Sequence, residues 1–154
     1  MDRRKFLHDS ALGAIGFSLL NKNLACSRLK TRPKPGLGVA LVGLGYYSTD
    51  LLAPALQLTQ NCYLAGIVTG SPEKAERWQK QYNIPEKNIY NYQNFDKIAD
   101  NPAIDVIYIV LPPSMHAEYV VRAAGLGKHV WCEKPMAVTV AECERMITAC
   151  EKNK

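Results

Sequence analysis

Residues 38–48 read GVALVGLGYYS, an apolar run that breaks into Gly43 and Gly45 and then into helix-like sequence. A strand that turns through two glycines into a helix is how main chain is shaped to hold a pyrophosphate. The first glycine permits the tight turn, and the second lets backbone approach the phosphates with no Cβ in the way. The helix then points its unpaired N–H groups at the anion. On this reading Gly43, Leu44, Gly45, Tyr46 and Tyr47 form a dinucleotide cradle, and Ser48 stands where a third small residue packs helix against strand. An ordinary strand–turn–helix can carry the same short pattern, so the rest of the chain has to decide.

Downstream, the sequence alternates between strand and helix. A helix is expected from about Ser48 to Thr59, bent or begun by Pro54, and YLAGIVTG follows as a second apolar strand. Ser71 caps the next helix, with Pro72 at its first position, over SPEKAERWQKQYN. A short extended piece is expected near Ile89 to Tyr92. DVIYIVLPP, with four β-branched residues, is a buried strand followed by the helix HAEYVVRAAGLG. HVWCEKP is a further strand, and TVAECERMITACEK a closing helix. Such alternation, with near-continuous apolar strands, predicts an α/β fold: a Rossmann-type, doubly wound parallel sheet covered on both faces.

Upstream, the chain reads as an address. Asp2-Arg3-Arg4-Lys5-Phe6-Leu7 precedes the weakly apolar ALGAIGFSLL and then a polar, small-residue stretch ending Leu24-Ala25-Cys26. Charge, a short apolar region and a small residue before a cut make a secretory signal over residues 1–25, and the paired arginines suggest the twin-arginine route to the periplasm. An amphipathic N-terminal helix is the alternative. Ten apolar residues are too few to span a bilayer. Cys26 after Leu-Ala also resembles a lipoprotein cleavage site, although Asn23 sits where an aliphatic residue is expected. Residues 26–37 follow as a linker, basic and broken by Pro33, Pro35 and Gly36, leaving 38–154 as one domain.

Composition excludes several classes of function. The 154 residues are 47% hydrophobic, enough for one buried core and too few for two. The net charge of +5 falls to +3 once the first 25 residues, with four Lys/Arg and two Asp/Glu, are set aside. No basic run is interleaved with aromatics, so no nucleic-acid surface is expected. Cys62, Cys132, Cys143 and Cys150 form no C-x-x-C pair and no metal-binding spacing with His, so no metal site is expected. They read as small core hydrophobes, with Cys143 and Cys150 two helical turns apart on one face.

The end of the second strand bears on cofactor type. An NAD site places a carboxylate about twenty residues past the glycines to hold the ribose hydroxyls. None lies between Leu51 and Pro72. Thr69, Gly70 and Ser71 stand there instead, with Lys74 and Arg77 one turn on. Hydroxyls, a helix N-terminus and a cation suit the extra phosphate of NADP better than NAD, whereas a lysine there is otherwise simply solvated at a small dipole cost. Two more clusters leave strand ends at the sheet edge where ligands bind: Leu111-Pro112-Pro113-Ser114-Met115-His116 and Glu133-Lys134-Pro135. His116 falls in a first helical turn, where the dipole favours a neutral ring. Lys134, before a proline, points a cation at the same crevice.

GLGYYS, the VTGSPEK turn, DVIYIVLPPSMHAEY and GKHVWCEKPMAVTVAECERM, in this order and spacing, resemble the nucleotide-binding half of the Gfo/Idh/MocA (glucose-fructose oxidoreductase / inositol dehydrogenase) family over roughly residues 38–152. Its exported glucose-fructose oxidoreductase type is the nearest likeness. The resemblance implies that Lys134 lies beside nicotinamide and substrate and supports hydride transfer, with Glu133 beside it. It further implies that Gly43 and Gly45 hold the phosphates, that Thr69, Ser71 and Lys74 meet the adenosine phosphate, and that Leu111 to His116, Pro112 included, line the nicotinamide side. Pro113 departs from the Asn common in relatives. The resemblance also implies a missing C-terminal α+β domain, which would supply the substrate pocket, the proton-transferring groups and the homo-oligomer interface. The favoured expectation is the cofactor half of an NADP-dependent sugar oxidoreductase, incomplete for catalysis by itself. An exported NAD-dependent glycosidase on the same scaffold and a non-catalytic dinucleotide-binding module stand as alternatives.

Overall fold

The computed structural model describes residues 36–153. The expected signal over 1–25, the linker residues 26–35 and the lipidation reading at Cys26 lie outside the described residues. Five strands, β1 (Leu37–Val42), β2 (Cys62–Val68), β3 (Ile89–Tyr90), β4 (Val106–Ile109) and β5 (His129–Cys132), form one parallel sheet in the order β3-β2-β1-β4-β5. The helices are α1 (Ala53–Leu58), α2 (Pro72–Tyr82), α3 (Pro113–Gly125) and α4 (Val140–Lys152). The chain winds outward from β1 to β3 and then returns to the far side of β1 for β4 and β5. Strand order therefore reverses between β1 and β4, which opens the crevice of a doubly wound sheet at that point.

Side-chain alternation along β1 explains its unbroken apolar sequence. Val39 and Leu41 join Ile67, Trp78, Ala53 and Leu44 in a core on the α1–α2 face. Ala40 and Val42 point the other way, into a core with Ile107, Ile109, Phe95, Tyr119, Val120 and Met146 on the α3–α4 face. All four are wholly buried, so both faces of the central strand are covered.

Several boundaries differ from expectation, each for a local reason. Leu37, assigned to the linker, already begins β1, with its N–H on the Asn61 carbonyl. The helix after the glycines starts as a π-helical stretch, Tyr47–Leu52, in which the Ala53 N–H reaches the Ser48 carbonyl five residues back. Pro54 has no N–H to continue an ordinary ladder, and the wider turn passes it into α1 at the first turn. Helix α3 begins at Pro113 rather than His116, because a proline at the first helical position gives up only an N–H that would be unpaired anyway. Strand β3 stops at Tyr90. The Asn91 and Asn94 side chains accept from the Gln93, Asn94 and Asn91 N–H groups and pull the chain into a turn. The expected Ser71 cap is present, accepting from the Lys74 N–H at 3.3 Å, and Thr139 with Glu142 closes a capping box on α4. The four described cysteines are free and half-buried, with Cys62, Cys132 and Cys150 packed at the margins of the two cores rather than inside them.

Candidate functional site

The sheet ends level. Tyr90, Val68, Val42, Ile109 and Cys132 are paired in one row across all five strands. The next residue of each of the last four donates its N–H to the row: Thr69 to Tyr90, Gly43 to Val68, Val110 to Val42 and Glu133 to Ile109, at 2.9–3.0 Å. All the residues singled out in the sequence lie at or beyond this line, on the carboxyl edge where doubly wound sheets bind ligands. The topology thus brings them to one edge although 91 positions separate Gly43 from Lys134.

The two glycines of the turn do different work. Gly43 has φ +92°, and a Cβ there would stand 2.5 Å from the Val110 carbonyl oxygen, so only glycine fits. A Cβ on Gly45 would meet no heavy atom within 4 Å, which means this backbone faces open space. Ser48 is fully buried, and its hydroxyl donates to the Gly43 carbonyl at 2.6 Å, fixing the turn from within. Ser48, expected only to pack helix against strand, thus also makes a hydrogen bond that its place in the motif did not announce. No side chain caps the helix start at Tyr46, in contrast to the starts of α2 and α4. Its first N–H groups are available to an anion. Tyr46 and Tyr47 are exposed beside them.

At the end of β2, Thr69 is buried and its hydroxyl accepts from the Ser71 N–H at 3.2 Å. Ser71 accepts from Lys74, so both hydroxyls serve as acceptors and each keeps its own O–H to donate. Lys74 folds back across the crevice, and its Nζ donates to the Leu44 carbonyl at 3.0 Å. That contact bridges the β2 turn to the glycine turn and answers the dipole cost of a lysine in the first turn of α2. Gly70 lies between them, exposed, with Thr69, Ser71 and Asn91 lining a cavity of about 300 Å³.

At the other end of the edge, Leu111 is half-buried and Pro112 exposed. His116 is wholly buried, with Nδ1 3.0 Å from the Pro135 carbonyl oxygen and Nε2 2.7 Å from that of Leu111. Its ring ties the loop after β5 to the start of α3, so the side chain is a clamp and has no surface to offer a ligand. Tyr108, on β4, donates its hydroxyl to Glu133, and the other Glu133 oxygen accepts from the Lys134 N–H at 3.2 Å. Burial raises the Tyr108 phenol above its ordinary range, and the Glu133 carboxylate pushes the same way. Trp131 packs edge-on against Tyr108 at 5.6 Å. Lys134 is exposed at the tip of β5, two strands from β1 and so about 10 Å across the sheet from the glycine turn.

These residues fit a bound dinucleotide: an uncapped helix start, a glycine whose backbone faces open space, two hydroxyl donors and a bridging cation. Among the described residues no three His, Cys, Asp or Glu side chains gather as a metal site. Sequence reasoning missed the lock made by Ser48 and the Tyr108–Glu133 link. The one signal for the latter was a phenol set among branched aliphatics in DVIYIV.

Comparison with known proteins agrees with this geometry. Residues 37–154 match the model of an oxidoreductase family with an NAD-binding Rossmann fold, Gfo/Idh/MocA. A D-xylose 1-dehydrogenase [NADP(+)] from Haloarcula marismortui is 34% identical over 114 residues, which cover 74% of this chain and 31% of that protein. An inositol 2-dehydrogenase from Salmonella typhimurium is 28% identical, covering 76% of this chain and 34% of its own. The crystal structure of an aldose-aldose oxidoreductase from Caulobacter crescentus superposes with a TM-score of 0.76 at 49% identity, over 77% of this chain and 35% of that one. The chain spans about a third of the length of these relatives. With the fold, the glycine turn and the level edge of strand tips all in place, the chain belongs to the Gfo/Idh/MocA family of oxidoreductases, of which it carries the dinucleotide-binding Rossmann domain.

Proposed function

We propose that this chain is the cofactor-binding part of an exported, NADP-dependent sugar oxidoreductase of the glucose-fructose oxidoreductase type, acting on an aldose. The observation that carries the reading is the Lys74 bridge to the Leu44 carbonyl across an opening that Gly45 leaves unfilled. Main-chain N–H groups from Gly45 to Tyr47 hold the diphosphate, while the Thr69 and Ser71 hydroxyls and the Lys74 ammonium receive the adenosine phosphate. Gly70 keeps that turn close, and Leu111 and Pro112 flank the reactive ring. A bound nicotinamide dinucleotide supplies or accepts hydride. Lys134 orients the sugar hydroxyl by donating a hydrogen bond, and Glu133, tied to Tyr108, sets the backbone from which Lys134 reaches. The names of the Haloarcula and Caulobacter relatives support NADP and an aldose. Paired arginines before an apolar stretch support export.

Titrating the purified chain with NADP⁺ and NAD⁺, followed by tryptophan quenching, tests the reading. NADP⁺ is expected to bind at least tenfold more tightly, and Lys74→Ala to remove that preference while leaving NAD⁺ binding unchanged. Equal affinities in the wild type would overturn the NADP assignment, and failure to bind either nucleotide would overturn the cradle itself. In the protein that includes the substrate domain, Lys134→Ala is expected to lower kcat by about 10²-fold or more with NADP⁺ affinity retained.

A further inference from the structure

His116 is wholly buried in the first turn of α3, and both of its ring nitrogens face main-chain oxygen. Nε2 lies 2.7 Å from the Leu111 carbonyl oxygen, just past the tip of β4. Nδ1 stands before the carbonyl oxygens of Pro135 and Met136, at 3.0 and 3.2 Å, in the loop that follows Lys134. A carbonyl oxygen only accepts, whereas a neutral imidazole has one N–H and one bare lone pair. Either tautomer therefore presses a nitrogen lone pair against oxygen, at distances too short for water to come between. Turning the ring over would set carbon against all three oxygens. Only a ring with a proton on each nitrogen donates to every one of them.

A buried charge persists only where its surroundings replace the water it gives up. Here three carbonyl dipoles converge on one ring, and hydrogen bonds from an ionised donor are the shorter and stronger kind, as the 2.7 Å contact is. The dipole of α3 opposes a charge in its first turn, but that effect is small and diffuse beside three oxygens in direct contact. No carboxylate among the described residues pairs with the ring. Glu133 is engaged by Tyr108 and Glu118 by Arg122, while the Cys132 Sγ lies 3.8 Å from the Met136 carbonyl oxygen. We propose that His116 is an imidazolium that positions Lys134, donating to Leu111 on one side and to Pro135 and Met136 on the other. The Lys134 N–H is held by Glu133 at 3.2 Å, so its backbone is gripped ahead by a carboxylate and behind by a cation. The contact of Lys134 with substrate rests on the function proposed above; the charge of His116 and its hold on the loop do not.

Nuclear magnetic resonance of the full chain at neutral pH, labelled with ¹³C and ¹⁵N, tests both parts. The ring of His116, assigned through its own backbone beside those of His8 and His129, is read through its carbon-bound hydrogens, which do not exchange with solvent. Both nitrogens are expected at the protonated position of the ¹⁵N spectrum, with couplings across the hydrogen bonds from Nε2 to the Leu111 carbonyl carbon and from Nδ1 to that of Pro135. One protonated and one bare nitrogen would overturn the charge, and absence of either coupling would overturn the hold. These readings are taken in the wild type, so they stand even if a variant fails to fold. In His116→Gln, backbone ¹⁵N order parameters at Lys134 and Met136 are expected to fall from about 0.85 to below about 0.6, with Val39–Val42 unchanged. A folded variant in which Lys134 stays rigid, or in which β1 loosens equally, would overturn the positioning role. None of these measurements uses nucleotide, so a chain that bound no NADP⁺ would fail the proposed function and be told apart from a failure here.

Discussion

Gly43 and Gly45 look alike in sequence and are opposite in demand. Gly43→Ala must hold a left-handed φ and push a methyl into the Val110 carbonyl, so it is expected to cost about 2 kcal/mol or more in urea unfolding. Gly45→Ala meets nothing, and its stability should change by less than about 1 kcal/mol, while its methyl occupies the opening and weakens NADP⁺ binding at least tenfold. Cys132 gives a second prediction. Its thiol is raised to about 11 by burial first and by Glu133 second, so the folded chain holds that proton more tightly than the unfolded one does. The associated stability is complete below pH about 9, where a free thiol begins to ionise, and is lost as pH climbs to about 11. Tyr108, also raised, adds to the same alkaline fall. Melting temperatures between pH 8 and 10.5 should therefore decline, and Cys132→Ala should flatten the decline. The positions of the glycines, Thr69, Ser71, Lys74 and Lys134 were legible in sequence because each sits at a strand tip or in the helix start just beyond it, marked by local composition. The Tyr108–Glu133 and His116–Pro135 contacts were not, since the first joins residues 25 apart across the tips of neighbouring strands and the second residues 19 apart from the start of α3 to the loop after β5.

Element boundaries were legible wherever a side chain marked them. Ser71 announces its helix by capping chemistry and that cap is formed, and Thr139, where the closing helix was expected to begin, caps it as well. The helix after the glycines was harder, because Pro54 acts through an N–H it lacks and the chain answers by widening the preceding turn, which no propensity encodes. Ser48 is the hinge pin of that arrangement. Ser48→Ala leaves a buried Gly43 carbonyl without its partner and is expected to cost about 1–3 kcal/mol in chemical denaturation. Thr139→Ala, an exposed cap, should cost about 1 kcal/mol and leave nucleotide affinity unchanged. A comparison of the two separates a lock on the site from a lock on a remote helix.

For the whole molecule, a doubly wound parallel sheet was legible in the β-α alternation, and the structure supplies its order, β3-β2-β1-β4-β5. The depth of burial was not, because it depends on which strands end with two neighbours. β1 is wholly enclosed from Val39 to Val42, whereas β5 pairs on one side only and alternates between exposed and half-buried residues. Amide hydrogen exchange is expected to be slowest in β1 and the facing residues of β4, and faster by several orders of magnitude in β5.

The level row of strand tips therefore joins supports of unequal stiffness. The glycine turn hangs from the most enclosed strand of the domain, while Lys134 is carried by a strand that has one neighbour among the described residues, steadied by a phenol on β4 and an imidazole on α3. Under the proposed function, such a layout sets the diphosphate on the stiffest support of the sheet and leaves the position of Lys134 to two side-chain contacts rather than to strand pairing.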